Sequence, residues 1–305
     1  MRHLYISFVL LILFNPAFAQ QDTTAVKDTT THYGGLFALN FTQVSLSNWA
    51  AGGQNSAAGN AIVNYFSNYK KGKNAWDNNF DLAYGLLSQG RDNKAVKSDD
   101  KIDLSSKYGH AAGGHWYYSA LLNFRSQFAP GYNYPNDSTV ISRFLAPGYI
   151  LFALGMDYKP SDYFSLFLSP ATARFIIVTD TALSNQGAFG VDTGKTVTTQ
   201  IGAYIKAAFK KDIATNVNLQ TSLDLFSNYL KDPQDIVINW QVLISLKVNK
   251  YISASISTQL LYDDKITIIG YQSDNKTIAF RGPRTQFKEV IGVGFSYKFA
   301  GVKTQ

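Results

Sequence analysis

Apolar and polar residues alternate with a period of two in many segments of this chain. From Trp76 to Gln89, the even positions are mostly large and apolar, whereas the odd positions are mostly polar or small. The same split recurs along residues 116–125, 200–210, 217–225 and 236–247. Successive side chains of a β-strand point to opposite faces, so this period predicts strands with one apolar face. We count roughly twelve such strands between Leu36 and Phe299.

Two architectures produce alternating strands: a soluble sandwich and an outer-membrane barrel whose apolar face points outwards. Connection lengths separate them, because barrels alternate short periplasmic turns with longer extracellular loops. The short connections are predicted at 70–74, 111–114, 159–162, 210–214 and 249–250. The outer loops are predicted at 48–56, 89–97, 130–147, 180–196 and 263–285, with 230–235 the one short outer loop. This regular alternation favours the barrel.

Aromatic residues supply a second test, since membrane barrels carry aromatic girdles at the membrane interfaces. The chain has 19 Tyr and 21 Phe, and its 16% charged residues fall below the roughly 25% of soluble domains. Eight outward aromatics are predicted at the periplasmic level: Tyr69, Trp76, Tyr108, Trp116, Tyr158, Phe164, Phe209 and Phe299. The predicted fold is therefore all-β, a transmembrane antiparallel β-barrel of about 12 strands with short periplasmic turns and long extracellular loops.

The N-terminus has the features of an export signal. Arg2 and His3 are followed by an apolar stretch and by the small-x-small sequence Ala17-Phe18-Ala19. We expect residues 1–19 to be a cleaved signal peptide, 20–34 a polar flexible leader, 35–299 the barrel and 300–305 a C-terminal tail. The expected location is the Gram-negative outer membrane. Export also argues against nucleic acid as the partner of this basic chain, whose formal charge is +7.

Several stretches resemble a family of uncharacterised Gram-negative outer-membrane barrels that is defined only by a domain of unknown function. They are AWDNNFDLAYGLLSQG, SDDKIDLSSKYG, YYSALLNFRSQFAPGY, FLAPGY, SLFLSP, GAFGV, YDDKI and FKEVIGVGFSYKF. The resemblance covers roughly Trp49 to Phe299. It implies a barrel in the outer membrane, but it brings no catalytic residue, substrate or cofactor.

Chemical motifs are weak. The sequence from Gly190 to Thr196 is one residue short of a phosphate-binding loop and opens a strand instead of a helix. Ser106 and His110 share an outward strand face, as in a lipid hydrolase, but i to i+4 on a strand separates them by about 13 Å. Five outer-loop acids could bind a divalent cation, but solvated loop charges are the stronger explanation: Asp92, Asp99, Asp100, Asp263 and Asp264. We therefore predict no enzyme activity, no metal and no cofactor.

The predicted lumen is the most informative region. Strand parity points seven charged candidates for a binding role inwards: Asp81, Asp103, Lys107, Arg125, Asp157, Lys206 and Asp224. In an open lumen, the cations Lys107, Arg125 and Lys206 should set ion preference. Alternatively, Arg125 is locked against Asp103 or Asp157, and the charges seal the interior.

The favoured function is a narrow channel or substrate-specific uptake pore for small polar solutes. A structural or partner-docking barrel with a sealed lumen is the alternative, and an outer-membrane lipid hydrolase ranks third. The expected partners are outer-membrane lipid, the barrel-assembly machinery, a small polar solute and, for the docking alternative, an envelope protein.

Overall fold

The computed structural model describes residues 29–45, 54–89, 94–134, 137–249, 251–271 and 278–304. Twelve of the sixteen strands form a closed antiparallel barrel, and the other four form two small hairpins in its connections. In chain order the strands are β1 (Thr29–Val44), β2 (Ser56–Lys71), β3 (Asn74–Gln89), β4 (Ala95–Gly113), β5 (Trp116–Ser126), β6 (Gly131–Tyr132), β7 (Val140–Ser142), β8 (Gly148–Ser161), β9 (Phe164–Ile177), β10 (Val197–Ala214), β11 (Val217–Asn228), β12 (Ile236–Lys247), β13 (Ile252–Tyr262), β14 (Ile268–Tyr271), β15 (Ile278–Gly282) and β16 (Gln286–Thr304).

Two short helices, α1 (Thr181–Asn185) and a 3₁₀ turn at Ala188–Gly190, lie between β9 and β10. Within the described ranges, no helix is long and apolar enough to cross a membrane.

The order around the ring is β1, β16, β13, β12, β11, β10, β9, β8, β5, β4, β3, β2, and β2 returns to β1. Each barrel strand therefore pairs with its neighbours along the chain, and β1 pairs with β16 to close the ring. The connections at 72–73, 114–115, 162–163, 215–216 and 248–251 lie at one end of the barrel, which we call the turn end. The described parts of the remaining connections lie at the other end, which we call the loop end. The predicted strand number and the alternation of short and longer connections are confirmed. The expectation of one short outer loop at 230–235 is wrong, because β4 begins at Ala95 and the connection from β3 is shorter still.

The outer face of the barrel wall is apolar and the inner face is polar, as a membrane barrel requires. Large apolar side chains are exposed on the outer face, including Phe80, Leu122, Trp240 and Ile291. The neighbouring positions point into the lumen, where Asp103, Asn123, Asp224 and Asn239 are buried. Alternation along each strand thus produces an apolar exterior and a polar interior.

The barrel is longer at its ends than the sequence predicts. β1 begins at Thr29, within the expected leader, and β16 continues to Thr304, through the expected tail. The two extensions pair with each other, because the β1–β16 register runs from Thr30 opposite Thr304 to Asn40 opposite Gly294. Unpaired backbone groups are costly at an edge, so each extension stabilises the other.

Glycine allows two close approaches in the wall. A Cβ at Gly202 of β10 would lie 1.9 Å from the carbonyl oxygen of Ser227 in β11. A Cβ at Gly35 of β1 would lie 2.8 Å from the ring of Phe299, which therefore covers the β1–β16 junction from outside. At both positions the packing leaves no room for a side chain.

Candidate functional site

A cavity of about 400 Å³ occupies the loop-end half of the lumen. We call it the vestibule. Strands from most of the ring contribute to it, and the connection after β13 adds Asp263 and Ile266. Its charged and polar lining includes Lys101, Arg125, Arg174, Tyr204, Gln241 and Gln259. Its volume lies within the range of small-molecule sites, which is roughly 300–1,000 Å³.

Arg125 is the centre of the largest polar network in the described lumen. Its Nε donates to Asp103 Oδ2 at 3.1 Å, and its Nη2 donates to Asp224 Oδ2. Asp224 also accepts hydrogen bonds from the Tyr204 hydroxyl at 2.7 Å and from Asn239 Nδ2 at 3.2 Å. These contacts join β4, β5, β10, β11 and β12 across the interior. The guanidinium is thus held by two carboxylates.

The remaining predicted candidates also face the lumen and have polar partners. Lys206 Nζ lies 3.2 Å from Asp224 Oδ1, so it belongs to the Arg125 network. Lys107 Nζ lies 2.6 Å from Asp157 Oδ2, and Asp81 accepts from Asn64 Nδ2. Asp103 keeps a second donor, Asn123 Nδ2, at 2.7 Å. Of the two acids that were alternatives as partners of Arg125, Asp103 contacts it, whereas Asp157 lies beside Lys107 and Lys159.

Arg174 of β9 is a site residue that the sequence reasoning missed. Its guanidinium lies 5.1 Å from the ring centre of Tyr149 and 5.5 Å from that of Phe226. It donates to Gln200 Oε1 at 3.1 Å and to Asp263 Oδ2 at 3.0 Å. The second bond attaches the connection after β13 to the vestibule wall.

Two lysines cross the lumen to neutral partners. Lys101 Nζ in β4 donates to Gln241 Oε1 in β12 at 2.5 Å. Nearer the turn end, Lys210 Nζ in β10 lies 4.0 Å from the ring centre of Phe66 in β2. In each pair, five strands separate the two partners in either direction around the ring. These side chains therefore span the full diameter of the barrel at two levels.

An apolar cluster fills part of the interior beside the polar network. It consists of Leu121, Leu151, Ala153, Phe167, Tyr204 and Phe226. Phe167 is fully buried, and its ring contacts that of Tyr204 edge-on at 6.3 Å between centroids. Tyr204 therefore joins the two regions, since its ring packs in the cluster while its hydroxyl binds Asp224.

Ionic contacts also link the connections at the loop end. Lys265 Nζ donates to Asp232 Oδ2 at 2.7 Å and to Asp235 Oδ2 at 3.2 Å. The hydrogen bond from Lys265 lowers the pKa of Asp232, and the same bond raises the pKa of Lys265. The 229–235 connection is thereby held against the connection that follows β13.

The outward group that suggested a lipid hydrolase has different partners. Ser106 Oγ donates to Asn78 Oδ1 and accepts from Trp76 Nε1, both at 2.8 Å. His110 Nδ1 lies 2.8 Å from Asn74 Oδ1. Ser106 and His110 therefore each bind an asparagine, and these contacts do not join them to each other.

The outer-loop acids are each bound to a cation where they are described. Asp99 binds Lys288, Asp100 binds Lys97, Asp263 binds Arg174 and Asp264 binds Lys265. Asp92 lies outside the described residues. Over the described ranges, no three residues of metal-ligating type are grouped.

Residues 41–132 match a sequence family described as a protein of unknown function (DUF3078). The match confirms the expected resemblance over this stretch, which runs from the end of β1 to β6. Comparison with curated proteins finds no relative.

Solved structures of low identity share the barrel form. One is the COG4313 outer membrane channel from Pseudomonas putida F1, at 11% identity and a TM-score of 0.36, covering 91% of this chain and 97% of that chain. OmpT, an outer membrane protein of Vibrio cholerae, has 9% identity and a TM-score of 0.31, covering 90% and 99%. The beta domain of the Bordetella autotransporter BrkA has 9% identity and a TM-score of 0.28, covering 90% and 98%.

Proposed function

We propose that this chain is an outer-membrane barrel that admits small polar solutes through the vestibule, as a narrow channel or a substrate-specific uptake pore. The observation that carries this proposal is the vestibule itself, a cavity of about 400 Å³ with charged, amide and aromatic lining inside a wall that is apolar outside. Concave sites with a few converging polar groups are the usual form of small-molecule sites.

The membrane placement follows from the two faces of the wall. An exposed apolar band suits a lipid environment, and a closed ring leaves no strand edge unpaired within it. Trp76, Tyr108 and Trp116 are exposed on the outer face near the turn end, where a membrane interface attracts aromatic rings. In this orientation the turn end is periplasmic and the vestibule faces the outside. Export through the signal at residues 1–19 is part of the proposal.

The side chains that cross the lumen indicate a narrow route. Lys101 meets Gln241, and Lys210 meets Phe66, from opposite walls. A solute must displace these contacts to pass, so the unit conductance should be well below that of a wide porin. Neither contact involves a carboxylate, and the side chains of Lys101 and Lys210 are long and flexible.

Conductance of the purified barrel in a planar bilayer tests the proposal. We expect salt-dependent current from the wild-type protein, with a wide porin as the positive control. Gln259→Trp places a large ring in the vestibule and should reduce the current several-fold. The matched control is Thr258→Trp, because residue 258 is adjacent on the same strand and points outwards.

Two results would contradict the proposal. No current from the folded wild-type barrel, while the control porin conducts, would favour the sealed docking barrel. Equal currents from the wild-type protein and the Gln259→Trp variant would show that the route does not pass through the vestibule.

A further inference from the structure

We propose that the vestibule selects small solutes that carry a negative charge, and that Lys101 binds their anionic group. The proposal rests on the uptake function above and names its substrate class. The sequence predicts Lys107, Arg125 and Lys206 as the residues that set selectivity. In the structure each of them contacts a carboxylate, so the proposal names a different cation.

The three cations that line the vestibule differ in how they are neutralised. Arg125 is bound to Asp103 and Asp224, and Arg174 is bound to Asp263. Lys101 donates to the neutral carbonyl of Gln241, and the ion pairs found among the described residues do not include it. Lys101 is therefore the vestibule cation whose ammonium contacts a neutral acceptor, while Asp81 and Asp103 interact with it only through the longer-range field of their charges.

A solute anion can replace the present partner of Lys101 more favourably than it can replace a partner of Arg125 or Arg174. The bond from Lys101 to Gln241 has one ionised partner, and a carboxylate in place of the amide oxygen adds the attraction between two opposite charges. A solute carboxylate that replaces the Gln241 carbonyl thus gains an ionic contact and displaces only an amide. At Arg125 the same carboxylate would have to displace one of two existing carboxylates, which would then be left buried without its partner.

The surroundings of Lys101 can complete the binding of a carboxylate. Gln259 faces Gln241 directly across the β12–β13 ladder, and both side chains line the vestibule. Gln259 Nε2 donates to Asn239 Oδ1 at 2.9 Å, which leaves its second amide hydrogen for a solute. Amide nitrogens donate hydrogen bonds, and a carboxylate accepts about four in total. Gln241, once released by the lysine, remains within the same lining and can donate to the other carboxylate oxygen.

Lys210 provides a second cation further along the route. Its ammonium lies over the Phe66 ring near the turn end, and the described ion pairs do not include Lys210 either. A cation held by an aromatic face can exchange that contact for an anion at modest cost. The two lumen-crossing lysines thus form two successive positions for an anion between the loop end and the turn end.

Reversal potentials across a potassium chloride gradient test the proposal, with potassium acetate as the carboxylate probe. We expect the wild-type barrel to prefer chloride over potassium, and acetate to inhibit the chloride current. Lys101→Gln should lower the chloride-to-potassium permeability ratio by about threefold or more and remove the inhibition by acetate. Lys101→Arg should retain both properties, because it keeps the charge.

The Gln241→Ala variant should change the inhibition by acetate in the opposite direction. It removes the neutral partner of Lys101, so inhibition by acetate should occur at a lower concentration than in the wild-type protein. The matched control is the double variant Lys159→Gln with Asp77→Asn, which removes a cation together with the acid that it contacts and leaves the Lys107–Asp157 pair in place. Its permeability ratio should stay at the wild-type value.

The outcomes separate the two proposals. Absence of any wild-type current would overturn the uptake function. A current whose selectivity and acetate inhibition are the same in Lys101→Gln as in the wild-type protein would overturn the role of Lys101 and leave the uptake function standing. If Lys101→Gln does not fold, Gln241→Ala decides, because unchanged inhibition by acetate in that variant would overturn the proposal.

Discussion

Replacement of Arg125 by glutamine should destabilise the barrel mainly through one of its two acids. The substitution leaves Asp103 and Asp224 without the guanidinium, and their side chains are only 9% and 5% exposed. Asp224 keeps its contacts with Lys206, Tyr204 and Asn239, whereas Asp103 keeps one hydrogen bond, from Asn123, and the more distant charges of Lys101 and Lys206. Removing one member of a buried ion pair costs about 3–5 kcal/mol. Because Asp224 remains compensated, we expect about 3 kcal/mol, most of it at Asp103.

A second substitution can show where the cost lies. Arg125→Gln with Asp103→Asn removes the carboxylate that has lost its ion pair and should recover about 2 kcal/mol of the loss, since an amide is far cheaper to bury than a carboxylate without a contacting cation. Arg125→Gln with Asp224→Asn should recover nothing, because it deprives Lys206 of its carboxylate.

Urea unfolding in lipid vesicles, followed by tryptophan fluorescence, provides the measurement for all three variants. Trp76, Trp116 and Trp240 are exposed on the outer face, so their emission should change when the barrel leaves the lipid. Equal recovery by the two double variants would refute the reasoning, and so would an Arg125→Gln barrel that unfolds at the wild-type urea concentration.

The remaining predictions concern the wall and its orientation. The chain has no cysteine, so Lys195→Cys at the loop end should react with a membrane-impermeant maleimide on intact cells, and Asp162→Cys at the turn end should not; the reverse pattern would invert the topology. Gly202→Ala should cost about 2 kcal/mol or more in urea unfolding, because its Cβ would meet a strand carbonyl. Gly59→Ala is the control, since its Cβ would only touch a ring at 3.6 Å, and an equal loss there would refute the steric argument. Phe299→Ser uncovers the β1–β16 junction and should reduce the heat-modifiable folded fraction seen by gel electrophoresis, and an unchanged fraction would contradict this.

Strand parity was enough to predict which side chains enter the lumen, because the period of two fixes the face of every residue in a regular strand. It was not enough to predict their partners. Arg125 meets Asp103 on the neighbouring strand, which pairing alone suggests, but it also meets Asp224 four strands away. Contacts of the second kind depend on the diameter and strand stagger of the closed ring, which no local pattern encodes.

Irregularities in the ladders explain other omissions. Arg174 follows a register shift between β8 and β9, where the strand parity changes along β9. If inward and outward positions are counted from the start of β9, the residues after the shift are therefore assigned to the wrong face. Lys101 is different, since it shares the parity of Asp103 and its inward position was predictable. Its importance was not, because its contact is with Gln241, a neutral residue on the opposite wall.

Pairing of β1 with β16 brings the two ends of the barrel segment side by side, with Thr30 opposite Thr304. The ring consequently has no first strand in any physical sense, because each of its twelve strands has two hydrogen-bonded neighbours. A short linker between residues 304 and 29, with new termini placed in the connection between β9 and β10, would preserve every ladder pair. Genes that encode such circular permutants would specify the same wall, the same lumen network and the same two lysine crossings.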